Sequence, residues 1–150
     1  MITESDMSPR LQMEIGNDNH HLKSVSRKLI DALKERGVDE GTIFDIHVGF
    51  EEALRNAMIH GNKSRQDKKV KVEMDVTSDE VTIMIEDEGE GFDVNKVPDP
   101  TVGDNLLREG GRGVYLIMHL MDYVHYDKGG RRVTMRKYLK KEDRRRQACR

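Results

Sequence analysis

Residues 52–61 read EALRNAMIHG and, with the glycine groups Asp87-Glu88-Gly89-Glu90-Gly91 and Gly110-Gly111-Arg112-Gly113 downstream, constrain the fold more than any other stretch of this chain. Glu52 and Asn56 are four residues apart, so on a helix they share one face and project a carboxylate and a carboxamide side by side. Asp87 closes an alternating apolar run and precedes two glycines. That sets a carboxylate at a strand end, where the backbone can turn sharply or admit a ligand. The second glycine group opens another amphipathic stretch, whose unpaired N–H groups and positive dipole end attract phosphate. A helix face, a strand end and a helix start thus describe one nucleotide site.

The surrounding periodicities say how these pieces are carried. Leu11, Met13 and Ile15 alternate with Gln12 and Glu14 as in a half-buried strand, and the chain turns at Gly16-Asn17-Asp18-Asn19. Leu22, Val25, Leu29 and Leu33 then form a helical stripe, capped from residues 17–19 and stopped at Gly37. Asp39 caps a second helix, in which Ile43, Ile46, Phe50, Leu54 and Ala57 line one side. Glu52 and Asn56 look elsewhere, and Gly61-Asn62 ends the element. His60 falls one further turn along the Glu52/Asn56 line and reads as packing or hydrogen bonding at the helix end.

Val70, Val72, Met74 and Val76 alternate with charged residues, as do Val81, Ile83 and Ile85 with Thr82, Met84 and Glu86, predicting a hairpin around Ser78-Asp79. Each strand turns one apolar face to the helices and one polar face to water, giving an α/β two-layer sandwich. Periodicity vanishes from Phe92 to Gly110, where Pro98 and Pro100 stand. A loop of that length in a compact domain is more often functional than idle. After Gly113, a helix with Val114, Leu116, Ile117, Leu120 and Met121 precedes short strands at 123–126 and 132–138, joined by a Gly129-Gly130 turn.

The 150 residues suit one domain with a single core. The chain divides into a flexible N-terminus at 1–9, a domain at 10–139 with a lid at about 92–110, and a basic tail at 140–150. No apolar run approaches the roughly 20 residues that span a bilayer, and no signal-peptide core is present, so a cytoplasmic protein is expected. The single cysteine, Cys149, excludes an internal disulfide and a thiolate metal cluster. A net charge of −2 gives no reason to expect nucleic acid or an anionic membrane as a partner. The basic run from Arg136 to Arg150 reads as a solvated tail, with a polyanion contact the sharper alternative.

The order E-A-x-x-N-A-x-x-H-G, D-x-G-x-G and G-x-G opening a helix resembles the N, G1 and G2 boxes of the GHKL ATPases. Within that superfamily the short chain is most similar to the bacterial anti-sigma-factor serine/threonine kinases. The resemblance covers residues 10–139. It implies the Bergerat ATP-binding fold: a mixed, mostly antiparallel sheet with helices on one face and a long loop as the lid over ATP. It also implies ATP and Mg2+ as cofactors, with Asn56 as the metal ligand through its side-chain oxygen. Glu52 is the expected catalytic base, accepting a proton from water or a substrate hydroxyl. Asp87 is expected to accept a hydrogen bond from the exocyclic amino group of adenine, where guanine would present a repelling oxygen.

Gly89 and Gly91 shape the turn after Asp87, and Gly111 and Gly113 let backbone N–H groups approach the phosphates. Arg108 and Arg112 are each candidates for a bidentate contact to the γ-phosphate. Thr134 is placed near adenine by the resemblance, with an ordinary exposed strand threonine as the alternative. Rival motifs fit poorly. A dinucleotide fingerprint wants a third glycine where Val94 stands, and a calcium loop wants more alternating acidic ligands. His20-His21 point in different directions on a helix and make no metal site.

These readings lead to an ATP-binding anti-sigma factor that phosphorylates a serine or threonine on a STAS-type anti-sigma-factor antagonist. A sigma factor is the second partner, and a homodimer is the expected assembly. Lys23 and Arg27 on the first helix offer a contact surface. The alternative is a binding module in which ATP holds the lid and partner surface with little phosphoryl transfer, although a module of that kind needs Asn56 and Asp87 but not Glu52. A hydrolysing ATPase lacking transducer domains is a third reading.

Overall fold

The computed structural model describes residues 10–93 and 111–142. Eight main elements follow in order: β1 (Arg10–Ile15), α1 (Asn19–Glu35), α2 (Glu40–Arg55), β2 (Val70–Val76), β3 (Glu80–Glu86), α3 (Gly111–Leu120), β4 (Tyr123–Asp127) and β5 (Arg132–Tyr138). The expected N-terminus at 1–9, most of the expected lid and the tail from 143 lie outside the described residues.

Local chemistry sets the helix limits. The Asp18 carboxylate accepts the His21 N–H at 2.9 Å, and the Asp39 carboxylate accepts that of Thr42 at 2.7 Å. Each thereby satisfies a donor that the helix itself leaves unpaired. Gly37, at φ +70, ends α1 while the Val38 N–H returns to the Leu33 carbonyl. Left-handed backbone there suits a residue without Cβ.

The five strands form one sheet in the order β1-β2-β3-β5-β4. The expected two-layer sandwich is borne out, but the sheet is not mixed: all four pairings are antiparallel. Hairpin connections account for two of these pairings. Thr77 and Glu80 close the β2–β3 turn, and residues 128–130 close the β4–β5 turn, so neither pair needs the helical crossover that parallel strands require.

Register fixes which side chains meet the helices. Met13, Val72, Ile85, Val133 and Tyr126 are successive partners across the sheet and make one row. Val72, Ile85 and Val133 are buried, and the row packs beneath Leu22, Val25, Leu29 and Leu33 of α1 and Ile46, Phe50 and Leu54 of α2 in one core. A slip of one residue would turn every strand's apolar set to water. Burying each such side chain stabilises the fold by about 1.5–3 kcal/mol.

The second helix departs from expectation at its end. The chain passes from α2 into a π-helical turn at Asn56–Gly61, in which the Asn62 N–H reaches five residues back to the Ala57 carbonyl at 2.8 Å. His60 therefore leaves the straight Glu52/Asn56 line. Turns of this kind are rare and occur often at functional sites. Among the described residues no helix is long and apolar enough to cross a membrane.

Candidate nucleotide site

Asn56 stands where α2 gives way to the π-helical turn. Its Nδ2 is buried and has no hydrogen-bond partner among the described residues, an uncommon state for a buried amide that points to a missing ligand. A Cβ on Gly113 would lie 2.8 Å from this nitrogen and 3.0 Å from Oδ1. Only glycine lets the start of α3 approach the amide so closely. Glu52 lies one turn earlier with its side chain 31% exposed, and its Oε1 pairs with Nη1 of Arg55 at 3.4 Å.

Asp87 follows the last residue of β3. Its N–H donates to the Arg131 carbonyl at 2.9 Å, and its Oδ1 accepts the Gly89 N–H at 2.8 Å. The residue is 9% exposed, and burial pushes its carboxyl above the usual range despite the Gly89 donor and the Arg131 charge. Two glycines make room here. A Cβ on Gly61 would collide with the carboxylate, and one on Gly89 would lie 2.0 Å from the Gly61 carbonyl oxygen.

The turn after Asp87 is tied down on both sides. Asn62 is fully buried: its Oδ1 accepts the Glu88 N–H at 2.8 Å, while its Nδ2 donates to the Lys69 carbonyl at 3.0 Å and to Asn17 Oδ1 at 3.1 Å. On the other side, the Phe92 N–H donates to the Gly129 carbonyl at 2.8 Å. Gly91 at φ +83 and Gly130 at φ +89 allow that approach, because a Cβ at either would meet opposing backbone oxygen.

Between these elements lies a cavity of about 140 Å³. An engineered cavity of roughly 150 Å³ holds benzene, so the enclosed part suits a flat ring while charged substituents extend outward. Ile85, Val133 and Tyr126 line it from the sheet, Ala53 and Ala57 from α2, and Phe92 from the segment after Gly91. Phe92 packs edge to face on Tyr126 with ring centroids 5.3 Å apart, and burial pushes the Tyr126 hydroxyl up to about 12. Asn56 and Asp87 line the same cavity.

This arrangement matches a known family. A model of the histidine kinase-like ATPase domain covers residues 15–137. The chain belongs to that family. It is 32% identical over 127 residues to the serine-protein kinase RsbW of Oceanobacillus iheyensis, covering 79% of this chain and 80% of the relative. The serine-protein kinase RsbW of Staphylococcus aureus is 29% identical over 140 residues, 88% of each chain. In three dimensions the domain is similar to the crystal structure of the RsbU and RsbW domains of a Mycobacterium tuberculosis protein. The TM-score is 0.60 at 16% identity, and the match covers 89% of this chain but 33% of that longer one.

In this histidine kinase-like ATPase domain the structure brings Asn56, Asp87 and Gly91 onto one cavity, with Gly89 beside Asp87 and Gly113 against Asn56. Glu52 stands beside that group without lining it. Gly111 opens α3, Arg112 follows it in the same first turn, and Arg108 lies outside the described residues. Thr134 lies on β5, outside the residues that line the cavity. It pairs with Met84 and His125 on the sheet face away from the helices, because Val133 and Met135 take the buried positions on either side. Val133 is the β5 residue that lines the cavity.

Sequence reasoning missed Phe92, Tyr126, Arg131 and His60 as lining residues and Asn62 as the anchor of the Asp87 turn. Alternation through Tyr126 and Val133 could have shown the first wall, whereas the hydrogen bonds of Asn62 join segments distant in sequence. Among the described residues no three of His, Cys, Asp and Glu converge on a metal position. The donor set here is a single amide oxygen beside a helix start. That suits a hard cation carrying its remaining oxygens from phosphate and water, as Mg2+ does.

Proposed function

We propose that this ATP-binding kinase transfers the γ-phosphoryl group of Mg2+-ATP to a serine or threonine of an anti-sigma-factor antagonist, and that it also sequesters a sigma factor in the cytoplasm. One observation carries the reading: Glu52 stands one helical turn before Asn56, whose unpaired buried amide lines the same apolar cavity as Asp87. The names of its kinase relatives support a protein substrate.

Each residue has a task that its position supports. Asp87 accepts from the exocyclic amino group of adenine, and the ring sits among Ile85, Val133 and Tyr126. Gly113 allows α3 to aim its first N–H groups at phosphate oxygens. Asn56 offers Oδ1 to Mg2+, which when bound neutralises phosphate charge and polarises the transferred group. Glu52 accepts the proton as the partner's hydroxyl oxygen bonds to the γ-phosphorus and the bond to the β–γ bridging oxygen breaks, releasing ADP. Arg108 and Arg112 are the proposed donors to the γ-phosphate. The new charge of about −1.5 to −2 on the partner then works against its remaining docked.

The test is transfer of label from γ-labelled ATP with Mg2+ to candidate antagonists encoded nearby. Label is expected on a serine or threonine, blocked in Glu52→Gln with ATP still bound, and reduced in Asp87→Asn through weakened ATP binding. Undiminished transfer by Glu52→Gln would remove Glu52 as the base. ATP-dependent capture of a partner with no label moved would favour the binding module instead.

A further inference from the structure

Glu52 is tethered through a network that its role as a base does not by itself require. Nη1 of Arg55 reaches Glu52 Oε1 at 3.4 Å, and Nη2 of the same guanidinium reaches Glu51 Oε2 at 3.2 Å. The other oxygen of Glu51 meets His47 Nε2 at 2.8 Å and accepts the hydroxyl of Ser26 on α1 at 3.2 Å. Ser26 is 3% exposed, so the network is rooted in the α1–α2 contact. Burial pushes the Glu51 carboxyl up, yet His47, Ser26 and Arg55 together hold it below the usual range. Glu51 is thus a fixed anion with both oxygens engaged.

Glu52 differs in one respect. Its Oε1 is held by Arg55, while its Oε2 accepts no hydrogen bond among the described residues. A carboxylate tethered at one oxygen and open at the other is oriented to receive a proton. We propose that Arg55, anchored by Glu51, is a positioning residue for phosphoryl transfer, holding the Glu52 carboxylate so that its second oxygen faces the incoming hydroxyl. The inference rests on Glu52 as the base. Half-exposed ion pairs contribute little to folding, so removing Arg55 is expected to leave stability nearly unchanged. Displacing a reacting group by about 1 Å can cost on the order of a hundredfold in rate. A planar fork can bridge two carboxylates in fixed directions, whereas a lysine ammonium cannot reproduce both contacts.

The experiment measures turnover of γ-labelled ATP with Mg2+ by the full chain, read as label on an acceptor protein or as inorganic phosphate released to water. Wild type is compared with Arg55→Ala, Arg55→Lys, Glu52→Gln and the Arg55→Ala/Glu52→Gln pair. Arg55→Ala is expected to lower kcat about tenfold or more, leaving KM for ATP, calorimetric ATP affinity and the melting temperature near those of wild type. Arg55→Lys recovers part of kcat. The double variant is no slower than Glu52→Gln, since a positioning residue has nothing left to position.

Wild-type kcat in Arg55→Ala with Glu52→Gln inactive overturns this inference and leaves the base intact. Slower turnover in the double variant than in Glu52→Gln, or a loss that follows ATP affinity or melting temperature, also overturns it. Wild-type turnover in Glu52→Gln instead overturns the proposed base and this inference with it.

Discussion

A Cβ atom on Gly61 would lie 2.3 Å from Oδ2 of Asp87. The glycine that closes the helical motif and the aspartate that opens the next motif therefore share one small volume, and any side chain added at Gly61 falls on the carboxylate.

Gly61→Ala tests that relationship. The methyl group must displace a nearly buried carboxylate, and overpacking of this kind costs about 1–3 kcal/mol. The variant is expected to fold, to melt several degrees lower and to lose ATP affinity by about a hundredfold or more, equivalent to roughly 2.7 kcal/mol. Thermal melts and titration calorimetry with ATP separate the two effects.

Asp87→Asn should trade function for the loss of one contribution to the pH dependence of stability. Burial raises the folded carboxyl above its ordinary 3.8, so the native state holds the proton to higher pH than the unfolded chain. Native protein binding more protons means that stability falls as pH rises from about 4 through the raised value. The variant lacks that slope. Denaturation across this range should show the difference between wild type and Asp87→Asn moving in favour of the variant as pH rises, while its ATP affinity at neutral pH is reduced.

Asn62→Ala leaves the Glu88 N–H without its acceptor and removes donors to Lys69 and Asn17. An unsatisfied buried group costs about 1–3 kcal/mol. Hydrogen exchange should quicken at the Glu88 amide while protection in β2 and β3 changes only with global stability. Equal loss of protection throughout would mean that Asn62 supports the whole domain rather than the Asp87 turn.

Strand alternation separates Val133 from Thr134. Val133→Asp puts a charge into the cavity and should abolish ATP binding, whereas Thr134→Val changes the opposite sheet face and should leave affinity within about twofold, or roughly 0.4 kcal/mol. A large loss in Thr134→Val would place the threonine at the ligand.

The periodic elements were readable because burial imposes a period on sequence. The stripe Leu22-Val25-Leu29-Leu33 and the alternation of β2 and β3 are each decided by one covered face. Asn56 was readable from its four-residue spacing from Glu52 on one helix face, and Asp87 and Gly91 because they sit where the strand alternation breaks. The π-helical turn was not. Ala57 and Met58 are compatible with an ordinary helix, and the five-residue reach from Asn62 to Ala57 follows from contacts that Asn62 makes with distant backbone. Phe92 and Tyr126 were overlooked for a similar reason, since their ring contact depends on Gly91 and Gly130 bringing two turns together.

The π-helical turn also sets how the two ends of the helical motif are phased against each other. Between Asn56, which faces the helix start at Gly113, and Gly61, which yields its side-chain space to Asp87, four residues bridge a fixed gap with one hydrogen-bond step longer than a normal helix would use. Exposed Ile59 can vary in identity, and five residues of this wider turn carry Gly61 about as far round the axis as four residues of an ordinary helix would, so the extra residue is taken up inside the turn and Gly61 still meets the aspartate. A residue of slack is thus stored in the width of the turn, while both of its ends keep their places in the site.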